Sequence, residues 1–377
     1  MIYLDNAASS HPKPASVLRA VARQIEGNGA NPGRSGHNLA MKASQTVFSA
    51  RKTLAKSFGT DPEIVIFTAN TTDAINRALK GILKQGDHVV ISDLEHNSVL
   101  RPLVALKERG IITFDVAKTE RDDGKTLSNF SKCIRSETKL VFCTHASNVT
   151  GQILPIHDIG DLCRKMGILF GVDGAQTAGT ESYDLQKDPI DLICVPGHKG
   201  LLGPQGTGAL ILSSAFRITP LFEGGTGSDS LSEHQPLTYP EGYESGTLNT
   251  PGIAGMEQGV LYTDRHKDEI RAREATLKAI FLEELKKLSA FRILGDTKNS
   301  VATVSLVHPR DHSEKIAEWL NRCGICTRGG YHCSALAHRA LNTVESGAVR
   351  ISFGYRNTVK EAVECVKCLK KYQKYFG

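Results

Sequence analysis

No stretch of the 377-residue chain approaches the ~18 uninterrupted apolar residues that a membrane-crossing helix needs, so a membrane is not expected as a partner. The chain opens on Met-Ile-Tyr-Leu-Asp, with no basic segment leading into an apolar one. No secretory signal is therefore expected, and the expected compartment is the cytoplasm. Charge of one sign is not concentrated either. The 46 basic and 40 acidic residues leave a net charge of +6 spread along the chain, and only the C-terminal Lys-Lys-Tyr-Gln-Lys is locally basic. A phosphate-backbone surface needs clustered positive charge, which argues against nucleic acid as the main partner. No internal repeat, low-complexity tract or Pro/Ser linker is present, so any domains are expected to be closely apposed. In a reducing compartment the nine cysteines are expected as free thiols.

What is present is enough for a large core: 40% of the residues are hydrophobic, and a length beyond about 250–300 residues favours more than one domain. Short β-branched and apolar runs alternate with helical patterns. Strand-like runs lie at 64–67, 88–92, 140–144, 168–172 and 192–195, and helical patterns at 74–84, 99–109 and 156–166. Such alternation predicts an α/β fold with a mostly parallel sheet covered on both faces. Ligands bind such sheets beyond the carboxyl ends of the strands, and Thr71, His96, Asn148, Asp173 and Lys199 all fall a few residues after such runs. From about residue 255 the texture changes. A long charged helix is predicted over 265–288, followed by a strand-like run at 300–307, a helix near 315–322 and a final helix from 359. This reads as a smaller α+β domain.

Two features invite other readings. Cys323 and Cys326 form one Cys-x-x-Cys pair and Cys365 and Cys368 another, but their separation exceeds the usual zinc-ribbon spacing, so no metal is expected and they are read as structural thiols. The Gly-rich stretch 203–208 leads into the strand-like Ala209-Leu210-Ile211-Leu212, where a dinucleotide fingerprint requires a helix. It is read as a turn after Lys199.

Lys199 stands in Pro-Gly-His-Lys-Gly, one strand-like run after the Asp-Gly-Ala-Gln that begins at Asp173. A lysine that binds pyridoxal 5′-phosphate as a Schiff base needs a carboxylate to keep the pyridine nitrogen protonated, because the protonated ring withdraws electrons from the substrate carbanion. Asp173 fits that task. Asn70-Thr71-Thr72-Asp73 opens a helical pattern, where N–H groups and hydroxyls can hold a phosphate.

Seven motifs, two of them extending the segments just named, occur in order: Tyr-Leu-Asp-Asn-Ala-Ala-Ser (3–9), Asn-Thr-Thr-Asp-Ala-Ile-Asn (70–76), Glu-His-Asn-Ser (95–98), Ser-Asn-Val-Thr-Gly (147–151), Val-Asp-Gly-Ala-Gln (172–176), Ser-Gly-Thr-Leu-Asn (245–249) and Arg-Gly-Gly-Tyr-His-Cys (328–333). With Gly-His-Lys (197–199), this set resembles the class V aminotransferase-fold enzymes, specifically the cysteine desulfurase and selenocysteine lyase family of the short-loop type. The resemblance implies the pyridoxal phosphate fold type I. It places a large domain over 14–254, and a small domain formed by 1–13 with 255–377. It further implies that His96 stacks on the pyridine face, Gln176 hydrogen-bonds the ring hydroxyl oxygen and Asn148 supports ring and substrate. Thr71, Thr72 and His198 would hold the phosphate, with Pro196 standing where relatives commonly carry a serine. Thr247 would reach the phosphate of a neighbouring subunit, which implies a homodimer with shared sites. Arg350 would clamp the substrate carboxylate, with Arg328 assisting, and Arg34 and His37 would align with an entrance segment.

By the same resemblance Cys333 is the nucleophile that attacks the sulfur of L-cysteine, leaving L-alanine and a persulfide for a sulfur-acceptor protein. Arg328 and His332 beside it suit a reactive thiol, since positive neighbours favour thiolate. The family's Arg-Thr-Gly-His-His-Cys reads here with Gly329 for Thr and Tyr331 for His. Three alternatives stay open on sequence. A selenocysteine lyase shares every residue named; a cystine or cysteine carbon–sulfur lyase would not need Cys333; an inactive scaffold on the same fold would not need Lys199.

Overall fold

A central sheet of seven strands organises the computed structural model, which describes residues 1–33, 36–216 and 218–376. In spatial order the strands are Val65–Thr68, Gly208–Leu212, Leu192–Pro196, Leu169–Asp173, Thr138–Thr144, Asp87–Ser92 and Ile112–Ala117. The last five in this order run parallel to one another, and Gly208–Leu212 is antiparallel to both its neighbours. The sheet is mixed and mostly parallel, as the alternation of runs predicts.

The strand sequences explain the layering. Successive side chains point to opposite faces, so Leu140 and Phe142 enter one hydrophobic cluster while Val141 and Cys143 enter another. Both faces are apolar because helices cover both. On one face Ala74, Ile75 and Leu79 of helix Thr71–Ile82 pack with Val99 and Leu103 of helix Asn97–Glu108. On the other, Leu54 and Phe58 of helix Asn38–Phe58 join Phe130 of helix Asp123–Cys133, and Ile159 and Cys163 of helix Ile156–Met166. The helices Ala15–Gly27 and Asn38–Phe58 carried no reading in the sequence, nor did the edge strand Ile112–Ala117.

The long C-terminal helix runs over Thr250–Leu285, starting well before the predicted residue 265. Its first turns look unhelical in sequence because they contain Pro251, Gly252, Gly255 and Gly259. Asn249 caps this start, its side-chain oxygen accepting from the Gly252 N–H at 3.0 Å, and proline is tolerated in a first turn, where its missing N–H has no partner to lose. A side chain at Gly259 would collide with the Leu201 carbonyl oxygen, so the glycine lets this helix pass against the chain just after Lys199.

A third hydrophobic cluster joins Leu4 with Leu277, Phe281 and Leu285 of the long helix and with the final helix Val359–Phe376 through Leu369 and Tyr372. It also takes Val304, Val349 and Ile351 from the antiparallel strands Thr303–Val307 and Val349–Ser352. Ile2–Tyr3 pairs in parallel with Ile325–Cys326. Because Val349 and Ile351 face this cluster, Arg350 between them and Ser352 after them face the opposite way, toward the ends of the large sheet. Among the described residues no helix is long and apolar enough to cross a membrane.

Candidate active site

A cavity of about 520 Å³ lies beyond the carboxyl ends of the parallel strands. Its wall takes Thr71 and Thr72 from a helix start, His96 from the loop after Asp87–Ser92, and Asn148 from the loop after Thr138–Thr144. Asp173 and Gln176 come from the end of Leu169–Asp173, and His198 and Lys199 from the turn after Leu192–Pro196. Arg328 and Arg350 close it from the side of the smaller sheet. Residues distant in sequence thus meet because each strand delivers its loop to the same edge.

Asp173 is buried, and Lys199 is half-buried at the cavity wall. Burial pulls the Lys199 amine down to about 8, an effect that Asp173 opposes and that Arg350 and Arg328 reinforce. A lysine with that value has a useful neutral fraction near pH 7, which a base or nucleophile needs. Burial raises the Asp173 carboxyl, while the Ala175 N–H, donating to its Oδ1 at 2.9 Å, and Lys199 hold it down. Behind it Glu95 is completely buried, accepting from the Ser92 hydroxyl at 2.5 Å and the Thr144 N–H at 2.8 Å. Burial pushes Glu95 up to about 8, so its carboxyl holds its proton at neutral pH.

At the other end, Asn70 caps helix Thr71–Ile82 by accepting from the Asp73 N–H at 3.0 Å. Thr71 Oγ1 is buried with no partner among the described residues, and so is His198 Nδ1. Buried polar atoms without partners are uncommon, and these two lie on a wall that also offers a helix N-terminus, the arrangement that receives an anionic group such as phosphate. Thr72 Oγ1 is 2.7 Å from Ser98 Oγ, which lies 2.8 Å from His96 Nδ1. Burial, with Lys199 next, pulls both His96 and His198 to about 4, so both rings are neutral at pH 7. Gln176 donates from Nε2 to the Ala7 carbonyl at 3.2 Å. The residues present therefore fit a phosphorylated pyridine: an acid and an amine at one end, unsatisfied donors and acceptors at the other.

Arg350, 1% exposed, donates from Nη1 to the Asn148 carbonyl at 3.0 Å and from Nη2 to Asp5 at 2.8 Å, while its Nε has no partner among the described residues. Cys333 is exposed and is not on the cavity wall, but it adjoins two residues that are. Arg328 Nη2 stands 3.8 Å from Cys333 Sγ, and His332 precedes it in the chain. His332 and Cys333 have φ of 52° and 56°. Two successive non-glycine residues in the left-handed region cost about 1–3 kcal/mol each, strain that persists only where surroundings impose it. Here they do: the Asn97 N–H donates to the Cys333 carbonyl at 2.7 Å, and Asn148 Nδ2 donates to the His332 carbonyl at 2.7 Å.

Some predicted residues lie elsewhere. Thr247 lines a second cavity, with Asn31, Tyr239 and Glu244, separate from that of Lys199. His37 caps helix Asn38–Phe58, accepting from the Ala40 N–H at 3.2 Å. Arg34 lies outside the described residues. Cys365 and Cys368 are buried in the final helix, Cys323 ends the helix Ser313–Arg322, and among the described residues no group of three or more His, Cys, Asp or Glu is placed to hold a metal ion. Asp5 and Ser98 lie inside the motifs with no task implied for them, and Ser334, just after the last motif, donates from its hydroxyl to Asn148 Oδ1 at 2.6 Å. Their positions in or beside the motifs were the available signal; their partners were not.

Comparison with known proteins agrees with this geometry. The aminotransferase class-V family model matches residues 2–365. A probable cysteine desulfurase of Methanothermobacter thermautotrophicus is 32% identical over 375 residues, covering 96% of this chain and 92% of the relative. One of Xylella fastidiosa is 31% identical over 387 residues, covering 100% and 92%. Among solved structures, the apo cysteine desulfurase of Thermococcus onnurineus superposes with a TM-score of 0.92 at 30% identity, covering 100% of this chain and 95% of that one. Ordered motifs, a mostly parallel sheet and a lysine–aspartate cavity at its carboxyl edge thus meet in one chain, which belongs to the class-V aminotransferase family, in its cysteine desulfurase branch.

Proposed function

We propose that the protein is a pyridoxal 5′-phosphate-dependent cysteine desulfurase, converting L-cysteine to L-alanine with transfer of the sulfur to Cys333. The observation that carries this is the placement of the Cys333 thiol 3.8 Å from Arg328 Nη2, while the same arginine lines the cavity of Lys199 and Asp173. When bound, the cofactor supplies an electron sink for the carbanion at the substrate α-carbon. Asp173 would keep its ring nitrogen protonated, His96 and Gln176 would hold the ring, and Thr71, Thr72 and His198 would hold its phosphate.

The chain's own residues supply the rest. Arg350, with Arg328, orients the substrate carboxylate through a planar fork of donors. Lys199, poised near 8, takes the α-proton and returns it on the way to alanine. Cys333 as thiolate attacks the substrate sulfur, forming an S–S bond as the C–S bond breaks, and the carbon keeps the bonding pair. A sulfur-acceptor protein then takes the terminal sulfur. Thr247 lines a separate cavity and not this one, which supports a homodimer in which each subunit completes the other's phosphate site. The division into 14–254 and 1–13 with 255–377 is proposed on the shared cluster of Leu4 with the second half of the long helix.

The test is product analysis with L-cysteine and a reductant, using the cofactor-loaded protein and Cys333→Ala. Alanine from the first and not from the second supports the reading. Pyruvate, or equal rates, would favour a carbon–sulfur lyase, and faster turnover of L-selenocysteine would favour a selenocysteine lyase.

A further inference from the structure

His338 belongs to none of the motifs, yet it is 1% exposed and stacks on His332, ring planes 16° apart with centroids at 5.6 Å. The partners around these two rings fix where the protons sit. His332 Nε2 faces the Arg328 carbonyl at 3.1 Å, and a carbonyl only accepts, so Nε2 carries the hydrogen and Nδ1 is left as an acceptor. His338 Nε2 lies 3.4 Å from that Nδ1 and must donate to it. Its own Nδ1 then accepts from the Thr343 hydroxyl at 2.7 Å, the His338 carbonyl being a competing acceptor of that hydrogen at the longer distance of 3.4 Å. The chain of donors runs one way: Thr343 hydroxyl to His338, His338 to His332, His332 to the Arg328 carbonyl. That carbonyl also accepts from the Arg350 N–H at 2.8 Å, filling its second lone pair. Both rings are neutral in this arrangement, and their burial favours it. His332 is held at about 3 by burial, with Arg350 next, and for His338 burial outweighs the backbone oxygens of Thr343 and Tyr331.

We infer that His338 is a positioning residue for Cys333, acting through the neutral His332 to hold the left-handed His332–Cys333 pair with the thiol beside Arg328. The mechanical argument is local. Gly329 and Gly330 precede the pair, with Gly330 at φ 100°, so the segment from Arg328 to Cys333 has little stiffness of its own. Asn97 and Asn148 hold carbonyls on one side of it, and the His338 ring holds the His332 side chain on the other. Without the donor from His338, the buried His332 Nδ1 loses its partner and the ring loses the neighbour that sets its plane. The thiol then samples positions away from Arg328 and the cavity.

This inference rests on Cys333 being the sulfur acceptor, and its test separates the two ideas. In the full-length, cofactor-loaded protein, His338→Leu removes the donor, and His338→Gln returns an N–H at a similar reach. His338→Leu is expected to lower kcat for alanine ~10- to 100-fold with KM and the cofactor absorbance unchanged, because misplacing a reacting atom by about 1 Å costs that much, and His338→Gln is expected to recover most of the loss. Independently, nitrogen-15 spectra of the unsubstituted protein labelled at histidine are expected to show His332 and His338 both neutral at pH 7 with hydrogen on Nε2. Equal kcat in His338→Leu and the unsubstituted protein, equal losses in the two variants, or hydrogen on His332 Nδ1 would overturn the inference. If His338→Leu fails to fold, the glutamine variant and the spectra still decide it. An unsubstituted protein that makes no alanine would instead remove the desulfurase reading, leaving the spectra to judge the hydrogen-bond chain alone.

Discussion

Arg350→Lys is the perturbation whose size the structure sets most directly. The buried guanidinium has two donors committed, one to the Asn148 carbonyl and one to Asp5, and its Nε is unpartnered within the described residues. A substrate carboxylate arriving at this fork can take Nε and compete with Asp5 for Nη2, a bidentate pairing that an ammonium cannot reproduce. Lysine keeps the charge but loses one charge-assisted hydrogen bond to substrate, a loss of about 1.5–3 kcal/mol. At about 1.4 kcal/mol per tenfold, KM for L-cysteine is expected to rise about 10- to 100-fold. The carboxylate contact is made alike in ground and transition states, so kcat is expected to change much less. Steady-state alanine formation over a wide cysteine range reads both constants, with the melting temperature as a control for the buried site. A KM unchanged within about twofold would refute the assignment of Arg350 to the carboxylate, because the energy argued here would be missing.

Three other outcomes follow from the same geometry. Glu95 holds a proton up to about 8 when folded and only to about 4.5 when unfolded, so its contribution to stability is full below about 4.5 and is lost as pH rises to about 8. Glu95→Gln is therefore expected to flatten the fall in urea-unfolding free energy across that window while sparing activity; an unchanged slope contradicts the protonated assignment. Glu244 accepts from Arg51 Nη1 at 2.8 Å and Nη2 at 2.7 Å, both side chains being buried, so Glu244→Ala leaves an uncompensated charge. It is expected to cost about 3–5 kcal/mol by urea unfolding, with a loss under about 1 kcal/mol refuting the burial argument. Mixing Lys199→Ala and Thr247→Ala subunits is expected to restore activity, since a mixed dimer holds one intact site if Thr247 serves the neighbour; no recovery would place Thr247 outside the site.

The sequence was most informative where chemistry is scarce. Lys199, Asp173, His96 and Gln176 are residue types that few cavities bring together; the alternating pattern alone put Lys199, Asp173 and His96 on one sheet edge, and the resemblance added Gln176. The start of the long helix was hidden because Pro251 and three glycines are poor helix formers, while the deciding facts were a cap from Asn249 and the close approach of Leu201. The pairing of Asp5 with Arg350 was equally hidden, since it joins the two ends of the chain and leaves no local period. His338 shows the same limit. Nothing in Ala-His-Arg marks it, and its task exists only because a short helix returns it beneath the cysteine loop. Local pattern reports which elements form and which loops carry reactive groups; partners contributed by distant segments depend on packing that no window contains.

The central claim is that sulfur leaves the substrate onto Cys333, and the mass of that residue after turnover tests it most directly. The cofactor-loaded protein would be mixed with L-cysteine in the absence of reductant, quenched with an alkylating agent, digested, and the peptide carrying Cys333 weighed. The account predicts the mass of one additional sulfur atom on Cys333, in step with the alanine formed and absent from Lys199→Ala. Alanine formed without that sulfur on Cys333, or sulfur gained on another of the cysteines in its place, would contradict it.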